Sequence, residues 1–445
     1  MQLSANCLYH SRTSYPNVAL ISAFREISIK SYRHVKLAGA WSASWHSATK
    51  FQAYSEVKMT IEVDYRFPQG VDAQKQAKVI AVGQTAGTWD ARFLHREEVL
   101  KSHLGEVIKG CTEPDGSSLA TIRFPEANVE NDISSLLTMI FGKYSMAGAA
   151  KVIAVRLPEN YGRHPKVGIT GIRQRLGVLD RPLIMAIFKP ALGLSADDHA
   201  AIFQEVANAG LDIIKDDEIM GDLEVAPTLK RLEACRRVID EVKQHTGRTV
   251  LYAVNVTGSA HQLIEKARLL VQEGANALLL NVLTYGFSVL DALAADSEIN
   301  VPIFAHPALA GAMCAAPDYG MAYSVVLGTL MAHGGADAVL YPAHYGSLPF
   351  DPVEEARIRD SLRSRNVFPV PSAGIHPGIV PKALTDYGQD VILNAGTGIM
   401  DHPDGAASGV KAFFEALERV KQGESFDLEI LPHGALRRAV EKWGA

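Results

Sequence analysis

Short apolar runs punctuate the chain from Leu183 onward, at Leu183 to Phe188, Leu211 to Ile214, Leu251 to Val256, Ala277 to Val282, Val301 to Ala305, Ala338 to Tyr341, Phe368 to Pro371 and Val391 to Asn394. Between them, apolar residues recur at helical spacing in Asp197 to Ala209, Leu229 to His245, Ala260 to Glu273 and Tyr319 to His333. A last helical stretch, Gly405 to Lys421, follows the eighth run. Uninterrupted apolar runs suit strands buried on both faces, and strands alternating with helices make parallel sheets. Eight such units within residues 181–445 predict an α/β fold, a (β/α)8 TIM barrel with C-terminal helices. A doubly wound open sheet is the rival, and the even spacing favours closure.

Upstream the period changes. Thr60 to Phe67 alternates as a strand, and Val71 to Gly83 has helical spacing. Glu106 to Lys109, Ser118 to Phe124 and Lys151 to Leu157 read as strands, with Asp132 to Phe141 as a second helix. Two helices among about four strands predict an α+β sandwich over residues 59–160. Residues 161–180, with their Pro and Gly turns, read as a linker. Residues 1–58 are rich in Ser, Tyr and His and carry basic residues against only Glu26 and Glu56. That is either a transit-like extension or sequence upstream of a natural start at Met59.

Composition narrows the picture little. The 445 residues are 47% hydrophobic and 21% charged, as in an ordinary soluble protein. A net charge of -5 gives no electrostatic case for nucleic acid, and no apolar stretch is long enough to span a bilayer. Cys7, Cys111, Cys235 and Cys314 are scattered without metal-type spacing, which predicts reduced thiols and a cytoplasmic setting.

The chemistry gathers where the runs end. The second run passes directly into Lys215-Asp216-Asp217-Glu218. Neighbouring residues of a strand alternate sides, so one of the two aspartates can converge with Lys215 and Glu218. Carboxylates at a buried strand end suit a hard cation such as Mg²⁺. The other runs lead to Lys189, Asn255, Asn281, His306, Tyr341 with His344, Ser372 with Gly374 and His376, and Gly396-Thr397-Gly398. Each alone could be a hydrogen-bonded core residue; together they lie on the rim where barrel sites are built. The glycine clusters after the seventh and eighth runs present backbone N–H groups suited to a phosphate. Lys189 is a candidate acid or base, since burial near a metal can depress a lysine pKa. The residues alone thus predict a Mg²⁺-dependent barrel enzyme acting on a phosphorylated small molecule, with a non-enzymatic phosphate-binding barrel as the alternative.

These stretches resemble the RuBisCO superfamily from Met59 to the C-terminus. The likeness rests on Tyr65-Arg66-Phe67-Pro68, Gly87-Thr88-Trp89, Phe188-Lys189-Pro190 with Leu192-Gly193-Leu194-Ser195, Gly210 to Glu218, Ser372 to Pro377 and His402-Pro403. It implies a ferredoxin-like N-terminal domain and a Lys215 carbamylated by CO₂. The carbamate, Asp217 and Glu218 would then hold one Mg²⁺ per subunit. It also implies a homodimer in which Thr88 and Trp89 approach the partner's site. The departures are Gly83 for a glutamate, Met139 for an asparagine, Ala191 for a lysine, Pro307 for an arginine and Leu340 for a histidine, with no lysine between Tyr341 and Pro381. They imply a RuBisCO-like protein that does not carboxylate.

Within that family the chain resembles the methionine-salvage enolases, which act on 2,3-diketo-5-methylthiopentyl-1-phosphate. This rests on Leu251 to Asn255, Ala305 to Ala308, Pro342 with Tyr345-Gly346-Ser347, Asn394-Ala395-Gly396 and Lys442-Trp443-Gly444. It implies substrate contacts at Lys189, Pro190, Ala191, Leu192, His306, Ser372, Gly374, Gly396 and Thr397. It also implies a proton-abstracting lysine within Glu98 to Gly105, for which Lys101 is the candidate and Lys109 the weaker one. Thr397 and Pro190-Ala191 differ from the usual enolase pattern. Isomerisation of 5-methylthioribulose-1-phosphate, or decarboxylation of a phosphorylated 3-oxo sugar acid, are the alternatives within the family.

Overall fold

Alternating burial sets the first layer of the fold. In the computed structural model, which describes residues 60–88 and 90–445, strand β1 (Thr60–Phe67) buries Ile61, Val63, Tyr65 and Phe67 on one face. It pairs antiparallel with β3 (Ser118–Pro125) and β4 (Lys151–Arg156), and β2 (Glu106–Thr112) pairs antiparallel with β3. The resulting order β4-β1-β3-β2, with the helices Ala73–Gly83 and Glu97–Ser102 between β1 and β2 and the helix Ile133–Leu137 between β3 and β4, is the ferredoxin-like arrangement. The helix Ala73–Gly83 starts where the Asp72 carboxylate accepts from Lys75 N, and Asp132 caps Ile133–Leu137 through Ser134 N and Ser135 N. Residues 1–59 and Trp89, and with them the reading of the N-terminal extension, lie outside the described residues.

The barrel strands are β5 (Leu183–Ile187), β6 (Ile213–Lys215), β7 (Leu251–Asn255), β8 (Ala277–Leu280) and β9 (Ile303–Ala305). The two-residue β10 (Gly320–Met321) leaves the barrel and pairs in parallel with β4. Then β11 (Ala338–Pro342), β12 (Phe368–Ser372) and β13 (Ile392–Ala395) complete the barrel. All eight barrel strands run parallel, in the order β12-β11-β9-β8-β7-β6-β5-β13. Asn394 Nδ2 donates to Ser372 Oγ at 2.9 Å, joining the two ends of that row.

Every second residue of these strands points inward. Met185, Ile213, Ala253, Leu279, Phe304, Leu340 and Val370 belong to the inner core. The intervening residues, such as Ile184, Ile214, Tyr252 and Val254, pack in a second core that includes residues of the helices outside. Residues 161–180, expected as a linker, contain the helix Gly168–Leu176. Its Ile169, Ile172 and Leu176 pack into the inner core. The helical period there is masked by two glycines and by two arginines, of which Arg173 is itself buried.

The expected helix Tyr319 to His333 is shorter than its sequence pattern. Gly320, at φ +86°, faces Met313 O so closely that a Cβ would lie 2.1 Å from it, and the chain runs as β10 before turning helical at Ser324. Gly320 is required for that approach, and the approach delays the start of the helix.

Asp337 fastens the barrel floor. Fully buried, it accepts from Val167 N at 2.7 Å and from Gly168 N and Ile303 N, each at 2.8 Å. Asp337→Ala leaves three N–H groups unpaired, two of them buried. A loss of about 3 kcal/mol or more in unfolding free energy is expected by urea titration, and a loss below about 1 kcal/mol would contradict this role.

Candidate active site

The inward register that fills the barrel with apolar side chains continues into polar ones at the C-terminal ends. Ile213 is followed on the same face by Lys215 and Asp217, Ala253 by Asn255, Leu279 by Asn281 and Phe304 by His306. Lys215 is fully buried, with its Nζ donating to Asp216 O at 2.9 Å and lying 4.0 Å from Glu218 Oε2. Lys189, at the end of β5, places its Nζ 2.5 Å from Asp217 Oδ2. His306 Nε2 lies 3.5 Å from Glu218 Oε2. The structure thus brings Lys189, Lys215, Asp217, Glu218 and His306 into one cluster.

Asp216 faces the other way. Its carboxylate meets Arg231 Nη2 at 2.8 Å and Nε at 3.1 Å, and accepts from Tyr252 OH at 2.6 Å and Asn255 N at 2.9 Å. Both partners of this ion pair are wholly buried. Removing either would strand a charge, which typically costs about 3–5 kcal/mol. On the inner side, Asn255 Nδ2 donates to Asp217 O at 3.3 Å and Glu218 O at 3.1 Å, and Asn281 Nδ2 donates to Glu218 O at 2.9 Å. The backbone bearing the two carboxylates is therefore held from inside and outside the barrel. Arg231 and Tyr252 escape a reading by rim position. The only sequence signal for them is an arginine amid the apolar spacing of the helix Thr228–Thr246 and a tyrosine within a buried strand.

Burial and charge then set the protonation states. Burial pushes the Lys215 amine down to about 8, against the pull of Glu218 and Asp217. Burial opposes ionisation of Asp217, but the Lys189 hydrogen bond and the Lys215 charge outweigh it and hold the carboxyl below its usual range. Burial, helped by Lys215, pushes His306 down to about 3, so it is neutral near pH 7. Ala308 N donates to His306 Nδ1 at 3.2 Å, which leaves the ring proton on Nε2, facing Glu218.

Across the rim, the loops after β12 and β13 are built for close backbone approach. Gly374 has φ +100°, and a Cβ there would sit 2.6 Å from Ser347 N. A Cβ on Gly396 would meet only Ile187 Cδ1 at 3.5 Å and Lys189 Cε at 4.0 Å. That glycine therefore fronts open space beside Lys189. The N–H groups of Gly374, Gly396 and Thr397 enter no hydrogen bond among the described residues. Ser372 spends its hydroxyl on Val370 O at 3.1 Å, while Pro190 and Leu192 are exposed beside Lys189 and Ala191 is half-buried.

Two expected site elements lie elsewhere. Lys101, on the helix Glu97–Ser102 of the N-terminal domain, pairs with Glu97 at 2.8 Å and makes no hydrogen bond or ion pair to the rim. Thr88 is exposed on that domain, and Trp89 lies outside the described residues.

The family described as ribulose bisphosphate carboxylase large chain, catalytic domain, matches residues 168–348 and 355–443. A 2,3-diketo-5-methylthiopentyl-1-phosphate enolase of Microcystis aeruginosa is 72% identical over 386 residues, covering 87% of this chain and 100% of that protein. The crystal structure of a RuBisCO-like protein from Alicyclobacillus acidocaldarius is 40% identical with a TM-score of 0.80, covering 87% of this chain and 100% of that one. The octameric ribulose-1,5-bisphosphate carboxylase/oxygenase of Pyrococcus horikoshii OT3 also gives a TM-score of 0.80, at 27% identity, covering 88% of this chain and 95% of that one. With a ferredoxin-like domain before an eight-stranded barrel, and Lys215, Asp217 and Glu218 clustered at the end of β6, the chain belongs to the RuBisCO large-chain family, as one of its RuBisCO-like members.

Proposed function

We propose that this chain catalyses the Mg²⁺-dependent enolisation of 2,3-diketo-5-methylthiopentyl-1-phosphate, a step of methionine salvage in the cytoplasm, and fixes no CO₂. The observation that carries this reading is the buried Lys215 amine beside Asp217 and Glu218. With its pKa held at about 8, roughly a tenth of the amine is neutral at pH 7 and able to add to CO₂. Among the described residues no three His, Cys, Asp or Glu side chains gather to hold a metal. The two carboxylates reach three anionic oxygen donors only with a carbamate on Lys215, a set that suits Mg²⁺. Bound there, Mg²⁺ would act as a Lewis acid on the keto oxygens of the substrate.

The remaining roles fall to the chain's own side chains. The free N–H groups of Gly374, Gly396 and Thr397, with Ser372 beside them, hold the phosphate. Lys189, Pro190, Ala191, Leu192 and His306 line the path of the carbon chain. No lysine or arginine stands between Arg268 and Arg357, so β8, β9 and β11 bring no cation for a second phosphate. Pro307 and the buried Leu340 are apolar, which suits a monophosphate with an uncharged methylthio tail. Without cations for a second phosphate there is no hold for a bisphosphate sugar, and carboxylation is lost with it.

The α-proton needs a neutral lysine. Lys189 is tied to Asp217 and serves as the donor that keeps a proton near the enolising oxygen. Lys101 is raised by its pairing with Glu97 and becomes a base only where another surface draws it away. The reading places it over the partner's rim in a homodimer. Supporting this, a hollow of about 830 Å³, lined by Gln84, Thr85, Leu100, His103 and Met139 with Ser288 of the barrel, opens beside the helix that carries Lys101. The partner's barrel rim would dock against that face.

Loss of the C1 proton signal of the diketone in D₂O, followed by NMR, tests the reaction. Exchange should require Mg²⁺ and bicarbonate. At a fixed concentration of dissolved CO₂, the rate of activation should rise about tenfold from pH 6 to pH 7, as the neutral fraction of Lys215 grows. No exchange with the diketone, or turnover of 5-methylthioribulose-1-phosphate in its place, would overturn the assignment.

A further inference from the structure

One buried carboxylate outside the metal cluster has no part in the reaction as described above. Glu355 is 3% exposed, in the first turn of the helix Pro352–Ser364. Its Oε2 accepts from His344 N at 2.6 Å and lies 2.7 Å from His344 Nδ1, and its Oε1 accepts from Tyr387 OH. Tyr387, itself 2% exposed, closes the far side of the carboxylate. A buried carboxylate with three donors aimed at it is an anchor, and what it anchors is the loop that leaves β11.

That loop is laid directly on the turn after β12. Ala343 N donates to Ser372 O at 3.0 Å, and Ser347 N donates to Ala373 O at 2.7 Å. A Cβ on Gly346 would lie 1.8 Å from Ala373 O, so the two backbones touch with no side chain between them. Ala373 is a non-glycine residue at φ +66°, a conformation that costs about 1 kcal/mol or more unless its surroundings hold it. Gly374, the next residue, carries one of the free N–H groups of the rim.

We propose that Glu355 is a positioning residue: through His344 it holds residues 343–347 against the Ala373–Gly374 turn and thereby fixes that turn's N–H groups for the substrate phosphate. This rests on the phosphate placement proposed above but not on the identity of the substrate's carbon chain. Glu355 touches neither substrate nor metal ligand. Its effect runs through two loops, and it should appear in phosphate affinity rather than in the chemical step.

Inorganic phosphate is the probe, titrated calorimetrically against the full chain and used as a competitive inhibitor of turnover. Glu355→Ala should weaken phosphate binding and raise KM by about tenfold, with kcat changed less than about threefold. Glu355→Gln, which can still accept from His344 and donate to Tyr387, should restore most of the affinity. Mn²⁺ binding should be the same in all variants. A merely structural role would lower melting temperature and the active fraction without moving KM or phosphate affinity. Should Glu355→Ala not fold, His344→Ala carries the test, with a weaker effect in the same direction. Folded variants that bind phosphate as the wild type does would overturn the proposal, as would a wild type that binds none. Phosphate binding that depends on Glu355 in a protein without enolase activity would leave the positioning role intact and remove the proposed reaction.

Discussion

Lys215→Ala will leave a folded protein without Mg²⁺-dependent turnover, a fall of at least about 10³-fold in kcat/KM. Alanine has no amine to take up CO₂, so the site keeps two carboxylates and lacks the third oxygen. The change should be tolerated structurally. The folded-state pKa of Lys215 lies near 8, below the ordinary lysine value of 10.5, so the folded chain binds its proton less readily than the unfolded one. The buried ammonium therefore opposes folding in full below about pH 8, and that penalty fades as pH rises towards 10.5. At neutral pH the alanine variant loses side-chain packing but is freed of that penalty, so its melting temperature should stay within about 5 °C of wild type. Turnover retained by a folded Lys215→Ala protein would remove the carbamate from the mechanism.

Mixing two inactive proteins should restore activity. If Lys101 of one subunit serves the barrel of the other, Lys101→Ala and Lys215→Ala each disable both sites of a homodimer. In a mixed dimer, one site combines the intact Lys101 of one chain with the intact Lys215 of the other. Random reassortment of equal amounts makes half the dimers mixed, with one working site in two, so about a quarter of wild-type activity should return. The assay is proton exchange after denaturation and refolding of the two together. No recovery, or a Lys101→Ala protein as active as wild type, would place the base on Lys189 and the whole site within one chain.

Much of this was legible because strands impose a period of two. Once Met185, Ile213, Leu279 and Phe304 are inside the barrel, Lys215, Asn281 and His306 must follow on the same face, and sequence position alone puts them on the rim. What was hidden depends on partners distant in the chain. Nothing local marks Asp216 as the structural aspartate and Asp217 as the site's; the decision lies with Arg231 and Tyr252, fifteen and thirty-six residues away. Glu355 likewise looks like any acidic residue in a helix's first turn until His344 folds onto it. The floor helix Gly168–Leu176 was obscured because its buried face includes an arginine, Arg173, which reaches Asp390 at 2.9 Å. Lys101 pairs with Glu97 on its own helix, away from the rim, and the surface proposed for it belongs to another copy of the chain.

The short strand β10 limits how separable the two domains are. It belongs by sequence to the barrel, between β9 and β11, yet it finishes the sheet of the N-terminal domain by pairing with β4. Tyr319 OH and Lys151 Nζ secure the same junction, the first on Ser145 O and the second on Cys314 O and Ala316 O. Neither domain is therefore a self-sufficient module. An N-terminal domain cut free would expose the β4 edge, an invitation to pair with other chains. A barrel given a foreign N-terminal domain would need one with a matching free edge in the same place. Exchange of parts across this family is thus constrained by two residues remote from any chemistry.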